Sequence, residues 1–248
     1  MKVAAAYPDV NVFKNLFDVL SKTVDEVCLV FTAEGMRVKA MDPANVALLD
    51  VLFPRDAFVE YEVEGEARIG LNLNVIMKLL KRGKRGDRID IKADDESVEI
   101  TITGVVKRTY KLRNLEVATP EIPEAQLIFD TAVTILVDPL KEALRDIEIV
   151  GTQAIFEYKE DEEALIISSP GETKYTMKLS RASGAVIDIE SSKPSKSVYS
   201  VDYLLNTLSL VKVADTVKIE FSTQMPLRLR FDLPAGGTAV YLLAPAAT

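Results

Sequence analysis

The sequence of 248 residues contains no histidine, no tryptophan and a single cysteine. One cysteine cannot form an intramolecular disulfide, and without histidine a zinc site would depend almost entirely on carboxylates, contrary to zinc's preference for nitrogen and sulfur ligands. Cys28 lies in the apolar run VCLVF, where a free cysteine is typically a small core residue. We therefore expect no metal, no cofactor and a reducing, intracellular compartment.

Long apolar runs are also missing. The N-terminal apolar stretch ends at Tyr7-Pro8-Asp9, which is too short for a signal-peptide core. No apolar run approaches the roughly 20 residues that span a bilayer. We expect a soluble, cytoplasmic protein with no membrane partner.

One pattern occurs twice along the chain. The patterns of residues 13–31 and 140–158 each predict an amphipathic helix followed by a strand. When the two segments are aligned, Phe13-Lys14 corresponds to Leu140-Lys141. A second helix and alternating strands follow in each half, which indicates a duplicated domain. The acidic segment NLEVATPEIPEAQL, with two prolines, is typical of a linker. The sequence therefore predicts an N-terminal domain over 1–115, a connecting loop over 116–128 and a C-terminal domain over 129–248.

Each half requires two helices and about eight short strands with frequent turn signals. This content predicts an α+β fold in which helices gather on one face of antiparallel sheets.

Positive charge is concentrated on the predicted helices, although the formal net charge is −8. The helix predicted over 73–82 carries Ile76, Leu79 and Leu80 on one side and Lys78, Lys81 and Arg82 on the other. The helix predicted over 139–149 places Lys141 and Arg145 beside its apolar stripe, and Lys14 takes the equivalent place in the first helix. A charged helix face is typically only solvated. Its recurrence on three helices, with acidic residues gathered in turns and linker, instead predicts a polyanionic partner.

Sequence-specific reading of nucleic acid is not indicated. The chain lacks zinc-finger spacing, a helix-turn-helix pair and a ribonucleoprotein aromatic motif. Spaced cations on helices favour contacts with phosphates, which are sequence-independent and bind with dissociation constants of around 10⁻⁴ to 10⁻⁶ M. Such contacts alone would not hold a protein on DNA for long.

The sequence offers little support for an enzymatic function. The segment GKRG lacks the remainder of a Walker-type phosphate-binding loop. Asp94-Asp95-Glu96 could hold magnesium, but its position between alternating strands favours a solvated hairpin turn. A carboxylate-based hydrolase would need two converging acids, and no spacing singles out such a pair.

Five short motifs occur in a fixed order: AMD at 40–42 followed by NVALLDV, EIPE at 121–124, LKEALRD at 140–146, MPLRLRF at 225–231 and LLAP at 242–245. Together they resemble the sliding clamps of archaea and eukaryotes, the proliferating cell nuclear antigen family, over essentially the whole chain. The resemblance is closest to the crenarchaeal type, in which different subunits can share one ring.

The resemblance implies a non-catalytic, nucleoid-associated ring of three subunits whose helices line a central hole. It would encircle double-stranded DNA and tether DNA polymerase and other replication and repair enzymes as a processivity factor. A checkpoint or repair clamp of the same fold remains an alternative, and the choice between homotrimer and heterotrimer stays open.

Positions that match the family's hole lining are Lys14, Lys78, Lys81, Arg82 and Arg145, and the local pattern adds Lys84, Arg85 and Lys141. In the fourth helix, Asp202 stands where many relatives carry arginine, and Asn206 and Ser209 occupy expected outward positions. DNA contact by that helix is therefore left open.

The family's partner groove takes a short peptide with a glutamine, an aliphatic residue and a pair of aromatics. The resemblance implies that DNA polymerase, clamp loader, flap endonuclease and DNA ligase bind there. The matching positions are Met41, Val46, Leu48, Ile122, Pro226, Leu242, Ala244 and Pro245. An exposed apolar patch beside a flexible linker suits this role.

Ring closure should join edge strands near 105–112 and 172–179, with Tyr110 and Tyr175 as contact residues. Both segments alternate and carry lysines, as edge strands do. Head-to-tail pairing of two different edges is a heterologous contact, which can close into a ring.

Overall fold

The structure, a computed structural model, describes residues 2–120 and 127–246. Contacts divide the described chain into two compact units. The first contains residues 2–45, 49–120 and 233–239, and the second contains residues 46–48, 127–232 and 240–246.

Residues 2–120 contain two α-helices, α1 (Val10–Thr23) and α2 (Leu73–Leu80). Their strands are β1 (Val3–Tyr7), β2 (Glu26–Thr32), β3 (Gly35–Met41), β4 (Ala47–Pro54), β5 (Glu60–Val63), β6 (Ala67–Asn72), β7 (Arg88–Ala93), β8 (Ser97–Thr103) and β9 (Lys107–Arg113). A short 3₁₀ turn covers Arg55–Ala57. A tight turn joins β2 to β3, where Thr32 pairs with Gly35.

Strands of the first half follow two hydrogen-bonded orders, β5-β1-β7-β8-β9 and β4-β3-β2-β6. Pairing is antiparallel, as predicted, and β1 places Ala5 opposite Tyr61 on one side and Ile91 on the other. Alternation along β8 buries Val98, Ile100 and Ile102 while Glu99 faces solvent. The strand β9 ends one sheet, so its outer backbone has no strand neighbour among the described residues.

The two helices of the first unit pack against each other above an aromatic core. Phe13 of α1 is fully buried, with its ring centre 5.2 Å from that of Tyr7 and 5.7 Å from that of Phe53. Burying such a side chain stabilises the fold by about 1.5–3 kcal/mol relative to leaving it exposed. The apolar stripe that identified α1 in the sequence is the face that carries this packing.

The second half begins with β10 (Thr131–Leu136) and contains α3 (Val137–Val150), α4 (Val201–Leu205) and α5 (Leu208–Val211). Its other strands are β11 (Gln153–Lys159), β12 (Ala164–Ser168), β13 (Thr176–Ser180), β14 (Val186–Ser191), β15 (Ser195–Ser200), β16 (Thr216–Phe221), β17 (Leu227–Asp232) and β18 (Thr238–Leu243). Short 3₁₀ turns cover Arg181–Ser183 and Pro234–Gly236.

Hydrogen-bonded strands of the second half follow the orders β13-β12-β11-β15 and β14-β10-β16-β17-β18. Phe156, Tyr199 and Phe221 form the aromatic part of this unit's core, with Phe156 5.7 Å from Tyr199 and 6.2 Å from Phe221 between ring centres. In the described ranges, each half thus has nine strands where about eight were expected. Among residues 2–120 and 127–246, no helix is long and apolar enough to cross a membrane.

Candidate nucleic-acid and partner interfaces

Helix α2 exposes Lys78 because the helical spacing of its apolar residues turns them towards the core. The side-chain oxygen of Asn72 accepts from the backbone N–H of Val75 at 3.1 Å and caps the N-terminus. Leu73, Ile76, Met77 and Leu80 are buried, whereas Lys78 is exposed. The prediction is confirmed for Ile76, Leu80 and Lys78, whereas Leu79 is only half-buried.

The helix itself ends at Leu80, two residues earlier than predicted. The N–H of Arg82 donates to the carbonyl of Leu79 at 3.0 Å, so the last turn tightens to 3₁₀-type bonds. Gly83 then packs so closely on α1 that a Cβ would lie 2.6 Å from Cγ1 of Val10. Lys81 and Arg82 are exposed on this closing turn rather than on the helix.

Lys84 and Arg85 lie on a turn that is tied to the start of α1. The carboxylate of Asp9 caps α1 by accepting from Asn11 N–H and also accepts from Gly86 N–H, both at 2.9 Å. Asp87 Oδ2 accepts from Lys84 N–H at 2.9 Å. Gly86 has φ of +85°, which favours glycine. Two exposed cations are therefore held beside the N-terminus of α1.

Helix α3 repeats the arrangement in the second unit. It is two residues longer than predicted at its start and one at its end, and it buries Val137, Leu140, Ala143, Leu144 and Ile147. Arg145 is exposed. Lys141 is half-buried and lies 3.7 Å from a carboxylate oxygen of Asp138.

The candidate DNA-contacting cations differ from most cations on the strands, because all but Lys141 lack an ion pair within the described residues. Within the described residues, no ion pair joins Lys14, Lys78, Lys81, Arg82, Lys84, Arg85 or Arg145 to an acid. By contrast, Arg37, Arg88 and Arg228 on strands contact carboxylates at 2.5–2.9 Å. These seven cations thus remain available to an external anion, whereas Lys22 of α1 pairs with Asp18 at 2.9 Å.

The fourth helix departs from prediction, because it is broken into α4 and α5. The buried hydroxyl of Thr207 donates to the carbonyl of Leu204 at 2.7 Å and competes with regular helix bonding. Ser209, expected to face outward, is buried. Asp202 is exposed, as is Lys212 just after α5. Lys212 is a candidate that sequence reasoning missed, since the break changes the helical phase.

The predicted groove residues of the second unit are all partly exposed. Val46, Leu48, Pro226, Leu242, Ala244 and Pro245 are half-buried. Ala244 N–H donates to Val46 C=O at 2.9 Å, which brings these two positions together. Ile122 lies outside the described residues.

Met41, at the end of β3, belongs to the first unit. It is half-buried and lines a cavity of about 210 Å³ together with Cys28, Lys39, Thr119 and Pro120. The start of the predicted connecting loop therefore forms one wall of this cavity.

Asn114 anchors the chain just before that loop. Its Oδ1 accepts from Gly70 N–H at 2.8 Å, and its Nδ2 donates to the carbonyls of Arg68 at 3.0 Å and Asp94 at 2.9 Å. Leu115 N–H donates to Gly70 C=O at 3.1 Å, and a Cβ on Gly70 would lie 1.9 Å from Leu115 O. Further along, Arg68 donates to the Thr119 hydroxyl at 3.2 Å. No local pattern around Asn114 indicates this anchor.

Both predicted interface strands lie at sheet edges. β9 occupies 107–113 and β13 occupies 176–180, so Tyr110 lies within its strand and Tyr175 directly precedes its own. Burial, together with the nearby carboxylates of Asp146 and Glu142, raises the pKa of Tyr175 to about 12. Tyr175 N–H donates to the Ser169 hydroxyl at 2.9 Å, which extends the β12–β13 contact.

The acidic segment Asp94-Asp95-Glu96 forms the hairpin turn that the sequence predicts. Asp94 Oδ1 accepts from the N–H groups of Ser97 at 2.8 Å and Glu96 at 3.0 Å, and these bonds lower the pKa of Asp94. Asp95 contacts Lys2 at 2.6 Å. In the part of the chain that the structure describes, no group of three or more His, Cys, Asp or Glu side chains could hold a metal ion.

Comparisons with known proteins cover nearly the whole chain. The model for the N-terminal domain of proliferating cell nuclear antigen matches residues 3–122, and that for its C-terminal domain matches residues 168–246. The DNA polymerase sliding clamp 1 of Sulfurisphaera tokodaii is 38% identical over 241 residues, which cover 96% of this chain and 97% of the relative.

Solved structures give the same picture. The PCNA2-PCNA3 complex from Sulfolobus tokodaii has a TM-score of 0.92 and 30% identity, covering 99% of this chain and 100% of that chain. The A. fulgidus PCNA bound to the C-terminal region of FEN-1 has a TM-score of 0.87 and 25% identity, covering 99% of each chain.

Proposed function

The chain belongs to the proliferating cell nuclear antigen family, and from that premise we propose that it is a DNA polymerase sliding clamp. In this proposal it forms part of a three-subunit ring that encircles duplex DNA in the cytoplasm, at the nucleoid. The ring tethers polymerase and other replication or repair enzymes without performing catalysis itself. The similarity to named sliding clamps supports the function, and the similarity to a PCNA2-PCNA3 complex supports assembly with related subunits.

The observation that carries the proposal is a set of cations on or beside the helices of both units that have no ion pair within the described residues: the half-buried Lys14 and the exposed Lys78, Lys81, Arg82, Lys84, Arg85 and Arg145. Lys141 is half-buried and lies 3.7 Å from Asp138, and it joins the set by its position on α3. We assign DNA contact to Lys14, Lys78, Lys81, Arg82, Lys84, Arg85, Lys141 and Arg145. Contacts with phosphates are individually weak and carry no sequence information. A ring can combine such contacts with retention, because encirclement prevents dissociation while the weak contacts permit sliding.

The same premise assigns partner capture to the groove positions. We propose that Met41, Val46, Leu48, Ile122, Pro226, Leu242, Ala244 and Pro245 receive a glutamine-aliphatic-aromatic peptide from polymerase, clamp loader, flap endonuclease or ligase. Among these positions, the described residues are half-buried apolar side chains, which suits peptide docking. The likeness to a clamp bound to the FEN-1 C-terminal region supports the flap endonuclease as a partner. The domain division at 116–128 is retained as part of this proposal.

A primer-extension assay tests the function. The chain, its related clamp subunits, a clamp loader and a DNA polymerase are combined on a primed circular template and on the same template linearised. We expect longer products on the circle, because a ring loaded on a linear template slides off its ends. Equal stimulation on both templates, or none on the circle, would contradict the proposal.

A further inference from the structure

A cavity on the outer face of the sheet in the first unit is not part of the proposed DNA or peptide contacts. Along β2, Leu29 and Phe31 are buried, so alternation turns Val30 to the opposite face. On that face, a cavity of about 370 Å³ lies beside Thr119 and Pro120, at the start of the predicted connecting loop. We call it the outer cavity. Its volume is at the small end of the roughly 300–1,000 Å³ typical of ligand pockets, so it suits one bulky side chain rather than a long segment.

The floor of the outer cavity is apolar. Val30, Leu52 and Pro120 line it, and Leu52 is 44% exposed. Three apolar side chains that line one cavity form a shared patch, unlike the scattered single residues of an ordinary surface. The open rim at Leu52 favours a side chain presented by another protein over a small molecule, which a pocket of its own would enclose more completely.

Lys39 places an ammonium group without a close partner at one end of the outer cavity. Its side chain is only 18% exposed, and its Nζ lies 3.9 Å from Oδ2 of Asp50. That carboxylate is already bound by Arg37, whose Nε and Nη2 donate to it at 2.9 and 2.6 Å. In the part of the chain that the structure describes, Lys39 Nζ has no acceptor at hydrogen-bond distance. A partly buried ammonium group favours an anion that binds it directly.

The lining residue Glu34 is acidic and lies at the other end of the outer cavity. Gly35, which follows it, stands four residues before Lys39 on β3, a separation of roughly 13 Å at about 3.3 Å per residue. Glu34 Oε2 accepts from the Thr32 hydroxyl at 2.8 Å. A ligand carboxylate bound at Lys39 is therefore held away from the carboxylate of Glu34.

We propose that the outer cavity is a second docking site, which takes a bulky apolar side chain of a partner protein together with the carboxylate of an adjacent Asp or Glu. The apolar side chain packs on Val30, Leu52 and Pro120, and the carboxylate binds Lys39. An acidic, apolar segment complements this lining, because a carboxylate that bonds to a partly buried ammonium group neutralises it. The site lies beyond the proposed ring contacts and peptide groove and does not depend on them.

The outer cavity is distinct from the cavity of about 210 Å³ that Met41 lines. Lys39, Thr119 and Pro120 line both, but Met41 lines the smaller cavity alone and Leu52 the outer cavity alone. The smaller cavity contacts the start of β2, whereas the outer cavity contacts its end. We therefore expect the two to be occupied at the same time.

Methyl-detected NMR on the isotope-labelled full chain tests binding. The probe is the capped dipeptide N-acetyl-leucyl-aspartyl-amide. One control peptide replaces its aspartate with asparagine and lacks the charge, and the other replaces its leucine with alanine and lacks the bulky side chain. We expect the probe to shift the methyl signals of Val30 and Leu52 with a dissociation constant of about a millimolar, as for other ligands of this size. Each control peptide should bind about fivefold more weakly, or weaker still.

Four substitutions in the chain locate the site. Lys39→Gln and Leu52→Ala should each weaken binding of the probe about fivefold to tenfold, because each removes one of the two contacts. With Lys39→Gln, the aspartate and asparagine peptides should bind alike, which a general loss of structure would not produce. Glu34→Gln changes the far end of the cavity and Lys92→Gln removes an exposed lysine from β7, so neither should weaken binding.

Four results would overturn the inference: no shift at Val30 and Leu52, equal binding of the aspartate and asparagine peptides to the unmodified chain, equal effects of Lys39→Gln and Lys92→Gln, or the same methyl shifts on concentrating the chain alone. The last result would assign the cavity to a second copy of the chain. A saturating glutamine-aliphatic-aromatic peptide should leave the affinity of the probe unchanged, and displacement of the probe would make the cavity part of the groove instead. Because these measurements need neither DNA nor a clamp loader, their outcome is independent of the primer-extension assay.

Discussion

Replacing Asn114 with alanine should loosen the start of the connecting loop and destabilise the first unit. The substitution removes three hydrogen bonds, to Gly70 N–H, Arg68 C=O and Asp94 C=O, at 2.8–3.0 Å. Each such bond contributes about 1 kcal/mol, and the buried Gly70 amide would be left without its partner. We expect the free energy of unfolding to fall by about 3 kcal/mol.

This loss should be measurable by urea titration followed by circular dichroism. For a chain of this size, about 3 kcal/mol lowers the melting temperature by roughly 6–12 °C. Hydrogen exchange followed by mass spectrometry should show faster exchange in peptides that contain Gly70, because its amide loses the acceptor.

The matched control is Asn74→Ala, which removes an exposed asparagine from α2 with no hydrogen bond shown in the described chain. Its unfolding free energy should change by less than about 0.5 kcal/mol. If the Asn114 variant matched this control in both stability and Gly70 exchange, the anchor would have no energetic role, and the reasoning would be refuted.

Loss of the α2-end cations should reduce the salt dependence of DNA binding. The variant replaces Lys78, Lys81 and Arg82 with alanine. The slope of the logarithm of the DNA association constant against the logarithm of salt concentration should fall in magnitude by about 2.7 if each cation contacts one phosphate. A control variant that replaces Lys92, Lys193 and Lys196 with alanine should keep the slope of the unmodified chain. Equal slopes in the two variants would reject the assignment. Met41→Ala with Leu242→Ala should abolish capture of a glutamine-aliphatic-aromatic peptide, whereas Leu52→Ala should not; full affinity in the double variant would count against the groove. Asp146→Asn should lower the pKa of Tyr175 from about 12 towards its ordinary value, as followed by ultraviolet absorbance, because a nearby negative charge is removed; an unchanged titration would contradict this contact.

Local patterns predicted the helices α1 and α3 and the hairpin at Asp94 well, because each depends on neighbours close in sequence. The apolar stripe of α1 matches its buried face, and Asp94 bonds to residues only two and three positions ahead. Exposure of Lys78 and Arg145 followed from the same periodicity.

Contacts that are distant in sequence set what local patterns could not. The early end of α2 depends on the close approach of Gly83 to Val10. In the fourth helix, Thr207 and Ser209 are both buried, and the helical wheel did not predict the burial of Ser209. In the sequence, Asn114 resembles an ordinary linker residue. Its partners Arg68 and Gly70 lie more than 40 positions away, so no local pattern indicates their hydrogen bonds.

Retention on closed circular DNA tests the central claim most directly. Labelled chain is loaded with its related subunits onto a nicked circle, washed at salt high enough to weaken direct phosphate contacts, and measured before and after the circle is cut once. Encirclement predicts stable retention on the circle and rapid release on cutting, because only the closed path holds the ring. Loss from the uncut circle, or persistence on the cut DNA with free ends, would contradict the account.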